Sequence, residues 1–218
     1  MHGSPHIVSE VMTRAVATVD RGTAFKDIVR IMQDRKVSAV PVVDGGSKVL
    51  GIVSEADLLP KEEFRDSDPD RYTQLRRLSD LAKAGSLTAD ELMTSPALTV
   101  RADATLAQAA REMARAPVKR LPVVDADGRL EGIVSRTDLL KVFLRDDEEI
   151  AEQIRREVVS YLFCPPASVL VEVRDGVVTL AGRVRDTSLV PVAARLVRAV
   201  EGVVDVEFAL DGADRSAG

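Results

Sequence analysis

Apolar positions along the chain change period several times, and each change predicts an element. Phe25, Ile28, Val29 and Met32 recur at helical spacing, which gives one buried face. Val37 to Val43 is a β-branched run that contains Pro41. Proline has no N–H to donate, so this is an edge strand or a strand whose donor side is free. Asp44-Gly45-Gly46-Ser47 reads as a hairpin turn, with Val49 to Val53 as the return strand. Ser54 then opens a helix through Leu58 and Leu59. Upstream, Ile7 to Met12 is expected as a short lead-in helix or turn, Ala15 to Val19 as a strand end, and Thr23 as a helix N-cap. The predicted order over residues 1–60 is β-α-β-β-α.

The same order returns over residues 88–144. Leu98 to Val100 is a short strand, and Thr105 or Asp103 caps a helix carrying Leu106, Ala109, Ala110 and Met113. Val118 to Val124 holds Pro122, Asp125-Ala126-Asp127-Gly128 is the turn, and Leu130 to Val134 returns to Ser135. Gly51-Ile52-Val53-Ser54-Glu55-Ala56-Asp57-Leu58-Leu59 has its second copy in Gly132-Ile133-Val134-Ser135-Arg136-Thr137-Asp138-Leu139-Leu140, an offset of 81 residues. That offset also relates Met12 to Met93, Thr18 to Thr99, Pro41 to Pro122 and Asp44 to Asp125, with no insertion from Val11 to Leu59. One structural unit is used twice. Between the copies, residues 61–87 form a charged connector whose Leu75, Leu78 and Leu81 give a modest helical stripe ending at Gly85.

Residues 147–213 follow a different pattern. Ile150, Ile154, Val158, Val159 and Leu162 make a helical apolar face, which Pro165-Pro166 ends. Val169, Val171 and Val173 alternate along a strand, Asp175-Gly176 marks a hairpin, and Val177 to Val184 returns with Gly182 inside it. A glycine there signals a bulge or a close backbone approach. Leu189, Val192, Ala193, Leu196 and Val200 are the inward positions of a second helix, stopped by Gly202, and Val203 to Leu210 is the last strand. The expectation is α-β-β-α-β, an antiparallel sheet under two helices. The whole chain is therefore α+β.

Composition narrows the function classes. A net charge of −5 and a pI near 5.2 argue against nucleic acid as a partner. One cysteine, Cys164, excludes an internal disulfide and fits a reducing compartment. The first six residues lack a basic start followed by an apolar core, so a cytoplasmic location is expected. His2 and His6 alone make no metal site. There is no nucleophile with a spaced base, no glycine-rich phosphate loop and no metal-ligand cluster, so an enzyme is not expected.

The doubled Met-Thr start, the apolar-Pro-Val-Val-Asp strand and the doubled Gly-apolar-apolar-Ser-x-x-Asp resemble the CBS-domain family, whose tandem pair is a Bateman module. The resemblance covers roughly Ile7 to Phe143. It implies a regulatory adenosyl ligand, such as AMP, ADP or ATP, in the cleft between repeats, with no tightly bound cofactor. It also implies homodimerisation through the module. By resemblance, one site joins Thr18, Thr23, Val37, Ser38 and Ala39 to Ser135, Thr137 and Asp138. The other joins Thr99, Val118, Lys119 and Arg120 to Ser54 and Asp57. The chemistry suits the assignment. A carboxylate can accept hydrogen bonds from both hydroxyls of a ribose diol, a helix start offers N–H groups to phosphate, and Lys119-Arg120 can neutralise phosphate. Because Ser38-Ala39 stands where the second repeat has Lys119-Arg120, the two sites are expected to be unequal.

A plainer reading stands beside this one. Ser-x-x-Asp at a helix start is close to a capping box, worth about 1 kcal/mol, and needs no ligand. The protein would then be a structural adaptor.

The C-terminal unit resembles the BON domain, through Gly176-Val177-Val178-Thr179-Leu180-Ala181-Gly182-Arg183-Val184 and Val200-Glu201-Gly202-Val203-Val204-Asp205-Val206. Phospholipid binding has been proposed for that family. From Glu149 onward, however, 8 Arg face 11 Asp and Glu, so attraction to anionic lipid is not expected. Docking to a partner on another chain is the expected role.

Overall fold

A computed structural model of the protein describes residues 6–65, 77–163 and 165–212. His2, Leu75 and Cys164 lie outside the described residues. The chain divides into two compact units, residues 7–136 and residues 137–212 together with His6.

In the first unit the helical stripe forms α2 (Phe25–Arg35), after a short α1 (Val8–Val11). Ile28 and Met32 are the buried positions of α2, each contributing about 1.5–3 kcal/mol by burial. The N-cap of α2 is Ala24, without a side-chain cap. Thr23, expected to cap it, instead donates its hydroxyl to Asp20 Oδ1 at 3.1 Å. The preceding β-tight turn thus takes the hydroxyl that the helix would have used.

Strands β1 (Ala39–Val43) and β2 (Val49–Ser54) form an antiparallel hairpin, with Ala39 opposite Ser54 and Pro41 opposite Ile52. Pro41 O and Val43 N both face Val19, at 3.1 and 2.9 Å. The missing proline N–H lies on that side, and the pairing there is a single bridge, Val19 to Val42, rather than the strand expected from Ala15 to Val19. The helices α3 (Glu55–Leu58), α4 (Pro60–Glu63) and α5 (Leu78–Gly85) follow.

The second repeat has α6 (Ala89–Leu92), β3 (Val100–Arg101), α7 (Leu106–Arg115), β4 (Arg120–Val124), β5 (Leu130–Ser135) and α8 (Arg136–Leu139). Thr105 caps α7, accepting from Gln108 N at 3.2 Å. β4 repeats the hairpin register, with Leu121 opposite Val134 and Pro122 opposite Ile133.

The Met-Thr lead-ins cross between repeats. Thr13 exchanges two backbone hydrogen bonds with Ile133, both 2.9 Å, and Thr94 exchanges two with Ile52, 3.1 and 2.9 Å. Gly51 and Gly132 make this possible. A Cβ on Gly51 would stand 2.5 Å from Met93 Sδ, and one on Gly132 would stand 2.6 Å from Met12 Sδ. The two hairpin turns also meet, with Val49 N donating to Gly128 O and Leu130 N to Ser47 O.

In the second unit the expected helix is continuous in sequence but changes winding. Asp147–Ile154 is α-helical, Arg155–Val159 is a π turn and Ser160–Leu162 is α-helical again. Ile150, Ile154, Val158 and Val159 are buried, with Val171, Leu180, Val197 and Val206, in one core. At the hairpin between β6 (Val169–Arg174) and β7 (Val177–Val184), Asp175 and Gly176 both have positive φ, 50° and 74°, as a two-residue turn demands. Asp147 accepts from both of their N–H groups, at 2.8 and 2.9 Å.

The sheet is not antiparallel throughout. β6 (Val169–Arg174) and β7 (Val177–Val184) are antiparallel, but β7 and β8 (Asp205–Gly212) are parallel. The helix Val190–Arg198 lies between them in sequence and carries the chain back to the starting end, which is what a parallel pair requires. That helix turns Val197 inward with Ala193, whereas Val192, expected inside, is 40% exposed. Its helical run begins at Val190, after a 3-10 turn over Thr187–Leu189 that rotates the buried face. Gly182, at φ +129°, has the Ser168 carbonyl 2.1 Å from where a Cβ would stand, so it serves close approach.

Candidate functional site

Each repeat's hairpin ends at its Ser-x-x-Asp. In the first repeat the local chemistry is that of a capping box, with Asp57 reaching back to its N-cap Ser54. Asp57 Oδ2 accepts from Ser54 N and from Ser54 Oγ, both at 2.7 Å. Asp57 Oδ1 is ion-paired to Lys83 Nζ from α5, and Thr94 Oγ1 donates to it at 3.4 Å. With only 7% of its surface exposed, Asp57 is the one buried charged residue among the described residues. A buried carboxylate is stable only when its oxygens are satisfied, and these four contacts do that.

Above this box lies a cavity of about 390 Å³. Its walls come from both repeats. Ser54, Glu55, Ala56 and Asp57 line one side, Val118, Lys119 and Arg120 the other, with Ala39, Thr94 and Leu98 also exposed to it. The residues expected at the Ser54–Asp57 site therefore come together, except Thr99, whose neighbour Leu98 lines the cavity in its place. The cations stand where the chain turns into β4. Arg136 N bonds Lys119 O at 3.0 Å and Arg136 Nε bonds Val118 O at 3.0 Å, which fixes this backbone. Among the described residues, the side chains of Lys119 and Arg120 have no hydrogen bond or ion pair.

Ser38 and Ala39 line this same cavity, although they were expected at the other site. The hairpin register explains it. Ala39 is the partner of Ser54, and Glu55 N donates to Ser38 O at 3.1 Å, so the start of β1 stays beside its own repeat's Ser-x-x-Asp. Thr18, Thr23 and Val37 do not line this cavity. Of the other expected set, Ser135 belongs to the unit of residues 7–136 and pairs with Arg120, while Thr137 and Asp138 belong to the other unit. Asp138 is paired with Lys141 at 2.8 Å.

Two residues at the site escaped the sequence reading. Thr94 follows Met93 in the repeated Met-Thr lead-in, and its crossing onto Ile52 is what carries it to Asp57. Lys83 lies in the connector, which has no counterpart at the 81-residue offset, so no repeat signal marks it. Among the described residues there is no cluster of His, Cys, Asp and Glu able to hold a metal, and no helix is long and apolar enough to cross a membrane. His6 Nδ1 is engaged by Glu201 at 2.5 Å.

Comparison with known proteins matches this architecture. The CBS domain family matches residues 8–61 and 89–145, and the BON domain family matches residues 146–211. The chloroplastic CBS domain-containing protein CBSX2 of Arabidopsis thaliana is 30% identical over 167 residues, which is 70% of this chain and 66% of that protein. The crystal structure of CBSX2 in complex with AMP superposes with a TM-score of 0.56 over 64% of this chain and 97% of that one. The CBS domain pair of MJ0100, in complex with 5-methylthioadenosine and S-adenosyl-L-methionine, shares the fold at 21% identity, with a TM-score of 0.50 over 64% of this chain and 96% of that one. A homoserine O-acetyltransferase of Methanohalobium evestigatum is 27% identical over 62% of this chain, but the match spans only 24% of that enzyme. The chain belongs to the CBS domain family, as a tandem CBS pair followed by a BON domain.

Proposed function

We infer that the protein is a non-enzymatic regulator that binds an adenosyl ligand in the cleft between its CBS repeats and relays occupancy, through the BON unit, to a partner on another chain. The observation that carries this reading is the single cavity in which Asp57 and Ser54 of one repeat face Lys119 and Arg120 of the other. Asp57 supplies an acceptor for a ribose diol, the Lys119–Arg120 pair supplies charge-assisted donors for phosphate, and the small Ala39 leaves room for a planar base against the backbone. CBSX2 with AMP, and MJ0100 with 5-methylthioadenosine and S-adenosyl-L-methionine, support the choice of an adenosyl compound. The three quarters of the acetyltransferase that find no match leave its catalytic activity without support in this chain.

A homodimer through the CBS module is part of the same reading. A groove of about 450 Å³ between α2 and α3–α4 is lined by Val29, Met32, Val37, Leu58 and Leu59, of which Leu59 is 63% exposed. An apolar face of that kind suits a second copy. The reading places the protein in the cytoplasm, without nucleic acid or membrane as partner.

The adaptor reading keeps one specific support, the hydrogen bonds from Ser54 N and Oγ to Asp57 at the start of α3. Calorimetric titration with AMP, ADP, ATP and S-adenosylmethionine separates the two. The regulator reading expects binding by at least one compound, weakened more than about ten-fold by Asp57→Asn, the size of one charge-assisted hydrogen bond. No heat with any compound, from a folded protein, would leave the adaptor.

A further inference from the structure

The connector helix α5 is held to its repeat in an unusual way. None of its eight residues is buried, and Leu78 is 62% exposed. Polar contacts tie it down instead. Lys61 Nζ donates to Ala84 O at 3.0 Å, Arg77, just before the helix, pairs with Glu63, and Lys83 pairs with Asp57. An element with no buried apolar side chain opens at low free energy, so each of these contacts matters to whether it stays docked.

The contact at Lys83 falls on the carboxylate of the cleft. A carboxylate has about four acceptor positions, two on each oxygen. Ser54 N and Oγ fill those of Asp57 Oδ2, while Lys83 Nζ and Thr94 Oγ1 fill those of Oδ1. The Lys83 side chain is itself only 20% exposed. A ribose diol arriving at Asp57 finds each of its four acceptor positions already in use.

We propose that Lys83 is a built-in competitor for the ligand: a vicinal diol binds Asp57 by displacing the ammonium, and this unfastens α5. The inference rests on the adenosyl-ligand reading of the cleft. It adds that occupancy is reported by the connector between the repeats, and that the site selects ligands with two adjacent hydroxyls able to replace a cation on Asp57.

Adenosine is the probe, because it carries the diol without phosphate, and Lys83 could otherwise serve as a phosphate contact. Titration of wild type and Lys83→Met should show adenosine bound about ten-fold more tightly by the variant, with Lys83→Gln, which keeps a neutral donor, in between. Hydrogen exchange supplies a second readout. Amides 78–86 should exchange faster in Lys83→Met without ligand than in wild type, and faster in wild type once adenosine is added. Equal or weaker adenosine binding by Lys83→Met, when wild type binds, overturns this proposal alone. So does slower exchange of 78–86 on adding adenosine. A chain that binds neither adenosine nor AMP, as wild type or as variant, overturns the ligand reading and this proposal together.

Discussion

Asp57 and Asp44 show how the same side chain serves two ends. Asp57 closes a capping box and also faces a cavity walled by Lys119 and Arg120. The cap alone accounts for Ser54 and Asp57, but it gives no reason for Lys119 and Arg120 across the cleft. Asp44 is purely architectural. Its carboxylate accepts from Lys48 N at 2.8 Å and Gly46 N at 2.9 Å, and these backbone donors, Lys48 first, hold it below the usual carboxylate range. Asp125 does the same in the second hairpin, with Arg129 N first and then Asp127 N. A carboxyl depressed on folding adds stability that is complete above its unfolded value near 3.8 and is lost as pH falls through its folded value. The thermal-unfolding gap between wild type and the Asp44→Asn/Asp125→Asn double variant should therefore be full at about pH 6 and narrow as pH falls below 3.8 through the lowered folded values. A gap that widens on acidification would contradict this. Ser54 and Asp57 were legible because they sit in a motif that recurs, and Lys119 and Arg120 because they precede the repeated proline strand. Lys83 was not, since it reaches Asp57 across 26 residues from an unrepeated segment, and spacing arguments identify only local partners.

Among the elements, the crossed lead-ins bind the two repeats into one unit. Gly51 and Gly132 are the points of closest approach, and they differ in what surrounds them. The three atoms nearest a Cβ at Gly51 belong to the Met93 side chain, whereas those nearest one at Gly132 include the Thr13 carbonyl at 2.9 Å, which is backbone. Gly132→Ala should cost roughly 2–3 kcal/mol and Gly51→Ala about 1 kcal/mol, measured by denaturant unfolding. Equal costs would mean that the lead-in backbone gives way as easily as a methionine. Alternation and turn chemistry made the hairpins readable to within a residue or two, because those signals are local. The direction of β8 was not readable from its own residues. It follows from the helix between β7 and β8, which returns the chain to its starting end. The expected cap at Thr23 failed for a comparable reason, as the neighbouring Asp20 competes for its hydroxyl.

At the scale of the molecule, repetition carried most of the information. Two copies in register pointed to the CBS pair, and the resemblance to that family implied the pairing of one repeat's Ser-x-x-Asp with the other's pre-proline cations. Ser38 and Ala39, which the resemblance assigns to the other site, stand in the same cavity as Lys119 and Arg120. The chain as a whole is acidic, at −5, so attraction of a phosphate must arise from those two cations at short range, within roughly a Debye length of about 8 Å. The central claim is that an adenosyl ligand occupies the cavity above Asp57. Locating AMP in crystals of the full chain tests it most directly. The account predicts the ribose hydroxyls on the Asp57 carboxylate and the phosphate beside Lys119 and Arg120. AMP bound with its ribose remote from Asp57, or crystals grown at saturating AMP with that cavity holding only water, would contradict it.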